Sequence, residues 1–402
     1  MNAVPERRAI ADAQTPVFEK HPHAHRITSD AEAIEIATKL AAEFAEEAAE
    51  RDRLRRLPAA ELDRFSGSGL WAITVPKAYG GAGVSIVTLA EIIKLISAAD
   101  PSLGQLPQNH FAALDVIRVV ASEEQKKLWF DRVLQGYRFG NAFSEAKSKT
   151  VGAFETRLTR DGDGHVVNGE KFYATGALFA HFVHIGAVAE DGLVYLAIVP
   201  RDTPGLTVKR NLPVFGYVDQ EGHAELSFDD VRVPASNLIA GEGDGFLISQ
   251  ARLGPGRIHH CMRTIGAAER AVELMCRRAS ERVTFGQPVA SRSNVQDWIA
   301  EARIDLEMIR LLTLKTAWLM DTVGNKHART EIAAIKVAAP NVALRIIDRA
   351  IQVHGGGGMS DDFPLARMYA HVRTLRLADG PDEVHKMTIA RRELKPYAPA
   401  QP

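Results

Sequence analysis

One carboxylate near the end of the chain is of a type and in a position that could serve a general base. Asp379 follows a long helical pattern and is followed at once by Gly380 and Pro381. A carboxylate after a helix can be aimed with precision, and a dry slot raises its affinity for a proton. Asp379 could therefore take a proton from carbon. In a purely structural role, it would end the helix before a glycine turn.

Other polar and glycine-rich segments could bring a ligand to this carboxylate. Gly355–Gly358 follow Gln352, and glycines let a backbone approach a cofactor closely. In K-F-Y-A-T-G (171–176), strand alternation places Tyr173 and Thr175 on one face, which brings an aromatic ring and a hydroxyl together. His259 and His260 are adjacent and could line a pocket, although one of them is expected to be a packed helix residue.

The composition is that of an ordinary globular enzyme. The chain has 402 residues, of which 46% are hydrophobic and 25% charged, enough for two or three domains with their own cores. A net charge of −1 provides no field for nucleic acid or an anionic membrane. Cys261 and Cys276 lack metal-ligand spacing and are interpreted as small buried side chains, so we expect no metal site.

The beginning of the chain and its apolar runs bear on the compartment. The first 30 residues contain no apolar signal core, and no run approaches 18 apolar residues. These features predict a cytoplasmic protein without a membrane span.

The periodicity changes twice along the chain. Residues 1–28 are polar and predict a loosely ordered arm, and residues 29–137, with Ser29 as a candidate helix cap, repeat apolar residues at helical spacing. Residues 138–245 carry β-rich runs split by Asp-Gly turns, and residues 246–402 return to long helical patterns. We expect an N-terminal α-helical domain, a middle β-domain and a C-terminal helical bundle.

Several short motifs, taken in this order, resemble those of the acyl-CoA dehydrogenase family. Besides Gln352 with its glycine run and Asp379-Gly380-Pro381, they are V-P-K-A-Y-G-G-A-G (75–83), S-E-E-Q-K-K (122–127), F-D-D-V-R-V-P (228–234) and R-V-T-F-G (282–286). The resemblance covers nearly the whole chain. It implies the acyl-CoA dehydrogenase fold, with an N-terminal all-α domain, a middle β-barrel-like domain and a C-terminal four-helix bundle, and it implies FAD as the cofactor.

The resemblance also implies a reaction within fatty acid metabolism. Asp379 would take the α-proton of an acyl-CoA thioester while the flavin takes the β-hydride, giving a trans-2-enoyl-CoA. Many members have Glu followed by Gly-Thr at this position, whereas this chain has Asp-Gly-Pro. The family's second place for the base corresponds to Gly256, which cannot ionise. Substrate contacts are implied for Thr150, Arg257 and Gly380.

Flavin contacts are implied at several places. Phe143, Ser144, Tyr173 and Thr175 would meet the isoalloxazine ring. A neighbouring subunit would hold the rest of FAD, which makes a homo-oligomer, a tetramer or a dimer, necessary for function. The residues that this subunit would contribute are Arg282, Phe285, Gln352, Gly355 and Gly356.

Two positions next to the base depart from the family pattern. Pro381 and Glu383 stand where the family often has Thr and Gln, and both are implied to lie at the flavin. Pro381 has no N–H and no hydroxyl, so one expected hydrogen bond to the flavin is missing.

The two halves of the chain resemble different branches of the family. N-A-F-S-E-A-K-S-K-T and K-F-Y-A-T-G-A-L-F-A-H resemble the sulfur-acquisition and dibenzothiophene-type monooxygenases, which use reduced flavin and oxygen. In that reading Asn109 and His110 would steady a flavin peroxide and the cofactor would be FMN. From about residue 210 the chain resembles dehydrogenases of the branch with kinase-fused animal members, and Asp379 favours this second reading.

The resemblance implies partners as well as a substrate. Reduced flavin would pass its electrons to an electron-transfer flavoprotein. A third reading stays open, in which the protein is a catalytically silent family member that binds a thioester or acts as a scaffold.

Overall fold

The N-terminal part of the chain is helical because apolar residues recur at helical spacing. The computed structural model describes residues 18–19, 23–147, 153–217, 220–239 and 245–397, with the backbone alone for 245–253. The Ser29 side chain accepts a hydrogen bond from the Glu32 backbone N–H and caps the first helix, as predicted. The helices are α1 (Asp30–Arg53), α2 (Ala59–Gly67), α3 (Ile86–Ala99), α4 (Pro101–Val120) and α5 (Glu123–Leu134).

A mixed β-sheet follows. Its strands are β1 (Phe139–Ala142), β2 (Arg157–Asp161), β3 (Gly164–Thr175), β4 (Phe182–Ala189), β5 (Val194–Pro200), β6 (Leu206–Asn211), β7 (His223–Pro234) and β8 (Leu238–Ile239). Their order is β6-β7-β3-β2-β4-β5-β8, with β1 pairing parallel to β4. Apolar residues of neighbouring strands, such as Val167, Val183 and Leu226, form a core of their own.

Long helices make up the C-terminal part. They are α6 (Gly245–Glu281), α7 (Ser293–Val323), α8 (Arg329–His354), α9 (Leu365–Thr374) and α10 (Asp382–Leu394), with a small hairpin of β9 (Val283–Thr284) and β10 (Gln287–Pro288) between α6 and α7. Helix α6 packs on α7 and α8, and α10 packs on α8.

The two helical parts are joined by close packing of α6 against α3 and α4. The Ser97 hydroxyl donates a hydrogen bond of 2.6 Å to the backbone oxygen of Arg263. A Cβ added to Gly266 would lie 2.5 Å from the Lys94 carbonyl oxygen, so only glycine permits this approach. The packing places α4 and α6 on one side of the site and the sheet on the other.

The order of helices, sheet and helices confirms the predicted fold class. The residue boundaries assigned to the domains stay a prediction, and most of the arm at 1–28 lies outside the described residues. None of the helices in the described part of the chain combines the length and apolar character needed to cross a membrane.

Candidate active site

A cavity of about 650 Å³ lies where the three parts of the fold meet. Helices α4 and α6, strand β3 and the segment after α9 all contribute to its wall. The lining residues are Gln105, Gln108, Asn109, Asn141, Ser144, Tyr173, Thr175, Val214, Phe215, His223, His260, Arg263, Thr374, Leu377, Ala378 and Asp379. The predicted base and three of the predicted flavin contacts therefore face one space.

Asp379 lies on the short segment between α9 and α10 in an unusual backbone conformation. Its φ is 54°, and Gly380 follows with a φ of 100°. One carboxylate oxygen, Oδ2, lies 3.1 Å from Nε2 of His260. The Asp379 side chain is 26% exposed, so the carboxylate reaches the cavity while one oxygen is held from α6.

Buried polar groups anchor this segment on both sides of Asp379. The ammonium group of Lys336 donates a hydrogen bond to the backbone oxygen of Leu375. Arg376 donates from Nε to Oδ2 of Asp382 at 2.7 Å, and Asn341 donates to the same oxygen at 3.2 Å. Because these partners lie on α8 and at the start of α10, the Asp379 backbone is fixed by the bundle.

The electrostatic surroundings of Asp379 combine neutral histidines with buried cations. Burial lowers the pKa of His260 to about 4, which makes its imidazole neutral near pH 7. Burial also lowers the pKa of Lys336 and of Arg257, and the negative charge of Asp379 opposes that effect in both. Cys261 is a poor nucleophile because burial raises the pKa of its thiol to about 12.

Gly256 faces the same carboxylate from α6. A Cβ added there would lie 3.7 Å from Asp379 Oδ2 and 3.2 Å from Nε2 of the flexible Gln108 side chain. Gly256, which the resemblance matches to the family's second place for a base, therefore lies next to the Asp379 carboxylate.

Tyr173 and Thr175 reach the cavity by a route that alternation did not predict. The register between β3 and β7 shifts between Lys171 and Ala174, and Tyr173 has a φ of 51°. The strand pairing is therefore irregular at Tyr173, as in a β-bulge, and Tyr173 and Thr175 both line the cavity. The Thr175 hydroxyl lies 2.9 Å from Nδ1 of His223, and Asn109 donates from Nδ2 to the Thr175 backbone oxygen at 3.3 Å.

The other two residues implied at the ring occupy different depths. Ser144 lines the cavity, and its backbone oxygen accepts a hydrogen bond of 2.8 Å from the Phe172 N–H. Phe143 packs behind it against the ring of His184, with 5.1 Å between ring centres. Phe143 is not among the lining residues of the cavity.

Backbone strain concentrates at this cavity. Tyr173, Phe215 and Asp379 all have left-handed φ angles between 51° and 54°, and all three line the cavity. Such conformations cost energy in residues other than glycine and cluster at functional sites. Phe215 occupies a tight turn in which Val214 and Tyr217 exchange two backbone hydrogen bonds of 3.0 Å.

The residues implied for a neighbouring subunit lie on the surface of this chain. Phe285, in the turn between β9 and β10, is 99% exposed and has a φ of 52°. A Cβ added to Gly355 or Gly356 would meet no atom within 4 Å. Arg282 and Gln352 are exposed as well. This set does not line the cavity of its own chain.

The remaining implied contacts divide into three cases. Thr150 lies outside the described residues. Arg257 and Gly380 lie beside Asp379 rather than in the lining. Pro381 is the residue before α10 and Glu383 is in its first turn, and neither lines the cavity.

His110 cannot play the part that the monooxygenase reading gave it. Its Nε2 lies 2.7 Å from the Trp71 backbone oxygen, and its Nδ1 accepts a hydrogen bond of 3.0 Å from the Phe139 N–H. Both ring nitrogens are therefore engaged within the fold, and the ring is fully buried. Asn109 does line the cavity.

A cluster behind Thr175 was missed in the sequence because its members are far apart along the chain. Glu221, His223 and His371 are buried, and their ligand-type atoms lie within 4.8 Å of one another. Burial lowers the pKa of His371 well below its ordinary value, and the positive charges of Arg367 and Arg263 act in the same direction. Those two charges disfavour a bound cation, so we interpret the cluster as a polar network supporting the cavity wall.

Helices, a central sheet and a helical bundle around a cavity with one carboxylate define an acyl-CoA dehydrogenase fold. Family models match three successive segments: the N-terminal domain of acyl-CoA dehydrogenase at residues 30–137, the middle domain at 142–231 and the C-terminal domain at 243–394. The chain belongs to the acyl-CoA dehydrogenase family.

Two curated relatives and a solved structure extend this result. Acyl-CoA dehydrogenase family member 11 of Gallus gallus is 43% identical over 358 residues, which cover 85% of this chain and 45% of that protein. The chain thus spans about half the length of that relative. The acyl-CoA dehydrogenase FadE2 of Mycobacterium tuberculosis is 42% identical over 337 residues, covering 81% of this chain and 83% of that protein. A structure from Mycobacterium abscessus described as an acyl-CoA dehydrogenase is 39% identical, with a TM-score of 0.76 and coverage of 92% and 96%.

More distant structures share the fold alone. Butyryl-CoA dehydrogenase of Megasphaera elsdenii is 23% identical with a TM-score of 0.83, and it covers 91% of this chain and 98% of its own. A dibenzothiophene monooxygenase of Paenibacillus is 22% identical with a TM-score of 0.81, covering 90% and 97%. Both chemistries occur on this fold, so the residues of the cavity have to decide between them.

Proposed function

We propose that this protein is an FAD-dependent acyl-CoA dehydrogenase in which Asp379 is the base. The observation that carries the proposal is that the Asp379 carboxylate shares one cavity with Tyr173 and Thr175. A base on one wall and a ring-binding surface on another are what α,β-dehydrogenation requires, because the proton and the hydride leave from adjacent carbons. The product would be a trans-2-enoyl-CoA.

The described residues of the cavity suit a flavin ring. Tyr173 offers an aromatic face, and Ser144 and Thr175 offer hydroxyl groups, in a space of about 650 Å³. FAD, when bound there, supplies the acceptor for the hydride. Asp379 would receive the α-proton, while Arg257 would hold the polar part of the thioester by forked hydrogen bonds.

The rest of FAD would be held by a second copy of the chain. Arg282, Phe285, Gln352, Gly355 and Gly356 are exposed and lie outside their own cavity. Helix α7 carries an exposed apolar stripe at helical spacing that would be covered in an assembly, formed by Ile304, Met308, Leu311 and Trp318. A homo-oligomer, a dimer or a tetramer, accounts for both surfaces, and an electron-transfer flavoprotein would receive the electrons from it.

Anaerobic titration of the purified protein with butyryl-, octanoyl- and palmitoyl-CoA tests this function. We expect the visible absorption band of the bound flavin to bleach without oxygen or any added reductant, and to bleach most completely with the preferred chain. A band that stays oxidised with every thioester, together with flavin lost on desalting, would point to an FMN-dependent monooxygenase. A colourless protein that cannot be reconstituted with flavin would point to a silent member.

A further inference from the structure

A buried histidine contacts the proposed base from a different part of the chain. His260 lies on α6, and its Nε2 is 3.1 Å from Oδ2 of Asp379, which is 119 positions further along the chain. The His260 side chain is 4% exposed. An interaction with the Asp379 side chain is thus made inside the protein, where solvent does not screen it.

The protonation state of His260 determines the direction of this hydrogen bond. Burial lowers the pKa of His260 to about 4, so the imidazole is neutral near pH 7 and carries a single N–H. An ionised carboxylate can only accept, so Nε2 is the nitrogen that donates. The other nitrogen, Nδ1, makes no hydrogen bond within the described part of the chain, which leaves Asp379 as the imidazole's one side-chain hydrogen-bond partner.

The Asp379 carboxylate needs such a partner for geometric reasons. It is carried by a short side chain on a backbone in the left-handed region, and its backbone oxygen lies 3.2 Å from Nε2 of His385. The charged groups around it are Arg257 on α6 and Lys336 on α8, with Arg263 beyond His260 and Asp382 beyond Lys336. These charges favour a carboxylate at this place, and the hydrogen bond from His260 adds a directional contact to one of its oxygens.

We propose that His260 is a positioning residue that holds Oδ2 of Asp379, so that the carboxylate keeps its orientation at the cavity where the substrate would bind. This inference rests on the proposed role of Asp379 as base. The α-proton passes from the substrate carbon to the Asp379 carboxylate, and the electron pair of the C–H bond stays on the substrate. His260 keeps its own proton throughout and contributes orientation only.

His259 provides a matched control because it is the adjacent residue on the same helix and is equally buried. Its ring stacks on Phe111 with 5.5 Å between ring centres, and neither of its nitrogens makes a hydrogen bond within the described residues. Replacing His259 changes burial and volume without touching Asp379.

The experiment measures anaerobic flavin reduction in single turnovers by the acyl-CoA that bleaches the wild type best, across a range of pH. For His260→Leu, we expect the limiting rate to fall by about 10- to 100-fold because the carboxylate is no longer aligned. The acid limb of the profile is its low-pH side, where the rate falls as the base becomes protonated. We expect this acid limb to move to higher pH by about one to two units, because a carboxylate that loses an N–H donor is harder to keep charged. His260→Gln retains an N–H donor and should recover most of both effects, and His259→Leu should leave the acid limb in place.

A second readout does not depend on turnover. An acyl-CoA analogue with sulfur in place of the β-carbon can lose its α-proton but cannot transfer a hydride, and its ionised form next to a flavin absorbs at long wavelength. In His260→Leu the acid limb of this band should move as the rate profile does, at unchanged flavin content.

Two outcomes would overturn the inference. One is a His260→Leu protein whose rate and acid limb match those of His259→Leu. The other is an acid limb that moves to lower pH, which would mean that His260 accepts a proton from Asp379. If Asp379→Asn still ionises the analogue and reduces flavin normally, the proposed function fails as well, so the two failures are distinguishable.

Discussion

At the scale of residues, burial and nearby charges set the protonation states of the titratable groups around the cavity. Burial lowers the pKa of His260 to about 4 and the pKa of His371 well below its ordinary value, because the charged form loses water, so both imidazoles are neutral near pH 7. Asp379 has cations within its surroundings and keeps an opening to the cavity. The proposed base therefore lies near two imidazoles that have a low affinity for a proton.

The buried histidines lead to a prediction about stability against pH. Burial lowers the pKa of a set of histidines from 6.5 to about 3 or about 4; the set is His110, His181, His259, His260 and His385. In the unfolded chain these residues bind protons below about pH 6.5, whereas in the folded protein they do not. The free energy of unfolding should therefore fall as the pH drops from about 6.5 to 4.5, a window above the ordinary pKa of Glu.

Chemical denaturation at a series of pH values in this window checks that prediction. His259→Phe removes one of the titrating groups and should flatten the slope, whereas replacement of the exposed His327 by Gln should not. A free energy of unfolding that is constant or rises toward acid pH would show that the imidazoles titrate normally in the folded protein.

At the scale of elements, the site depends on where regular structure is interrupted. The bulge in β3 turns Tyr173 toward the cavity, and the segment after α9 presents Asp379 in a left-handed conformation. Helix α6 approaches the same place from the opposite side, with Gly256 and His260 one turn apart. The carboxylate is thus supplied by one element and oriented by another.

This arrangement predicts that the base can be moved between elements. In Asp379→Ala, we expect flavin reduction by acyl-CoA to fall by roughly three orders of magnitude. Adding Gly256→Glu should recover at least about tenfold, because its Cβ would lie 3.7 Å from the former Oδ2 position and its other near neighbour is the flexible Gln108 side chain. The same rapid-reduction assay on Asp379→Ala with Gly256→Gln provides the control, and equal rates in the two double variants would contradict convergence of the two positions.

The sequence predicts the beginning of a helix better than it predicts an interrupted strand or a contact between distant elements. Ser29 marks the beginning of α1 because a side-chain acceptor before a helical pattern satisfies its first N–H groups. The bulge at Tyr173 has no comparable sign, since a β-rich run looks the same with or without an extra residue in its pairing. The contact between His260 and Asp379 also escapes prediction, because it depends on how α6 packs against the segment after α9.

At the scale of the whole molecule, the candidate site residues fall into two groups, of which only one lines the cavity. The cavity holds Asp379, Tyr173 and Thr175, whereas Arg282 and Phe285 lie on the exposed hairpin after α6. The family's motif order made the fold predictable from sequence, together with Ser144, Tyr173, Thr175 and Asp379 among the lining residues of the cavity. Phe215, His223 and the cluster of Glu221 with His371 were not, because residues distant in the chain meet only after folding.

The proposed assembly gives a prediction about α7. Met308 is 58% exposed in the middle of the apolar stripe, so Met308→Asp should place a charge in a subunit interface and shift the protein toward smaller species. FAD should be lost in parallel, because the proposed pyrophosphate and adenine contacts come from the other subunit. Light scattering during gel filtration and the flavin-to-protein absorbance ratio measure both effects.

Val119→Asp is the control for that experiment, since Val119 is 54% exposed on α4 and belongs to no apolar stripe. It should leave both mass and flavin content unchanged. A Met308→Asp protein that keeps the mass and FAD content of the wild type would contradict an interface on α7.

The central claim is that the Asp379 carboxylate takes the α-proton, and the rate of flavin reduction in a single turnover tests it most directly. Wild-type protein and Asp379→Asn, matched in FAD content, are mixed without oxygen with the acyl-CoA that bleaches the wild type best. The Asn side chain keeps the shape of the residue and a hydrogen-bonding atom near His260 but cannot accept a proton, so we expect the rate to fall by roughly three orders of magnitude. A variant that reduces its flavin at nearly the wild-type rate would show that another group removes the proton.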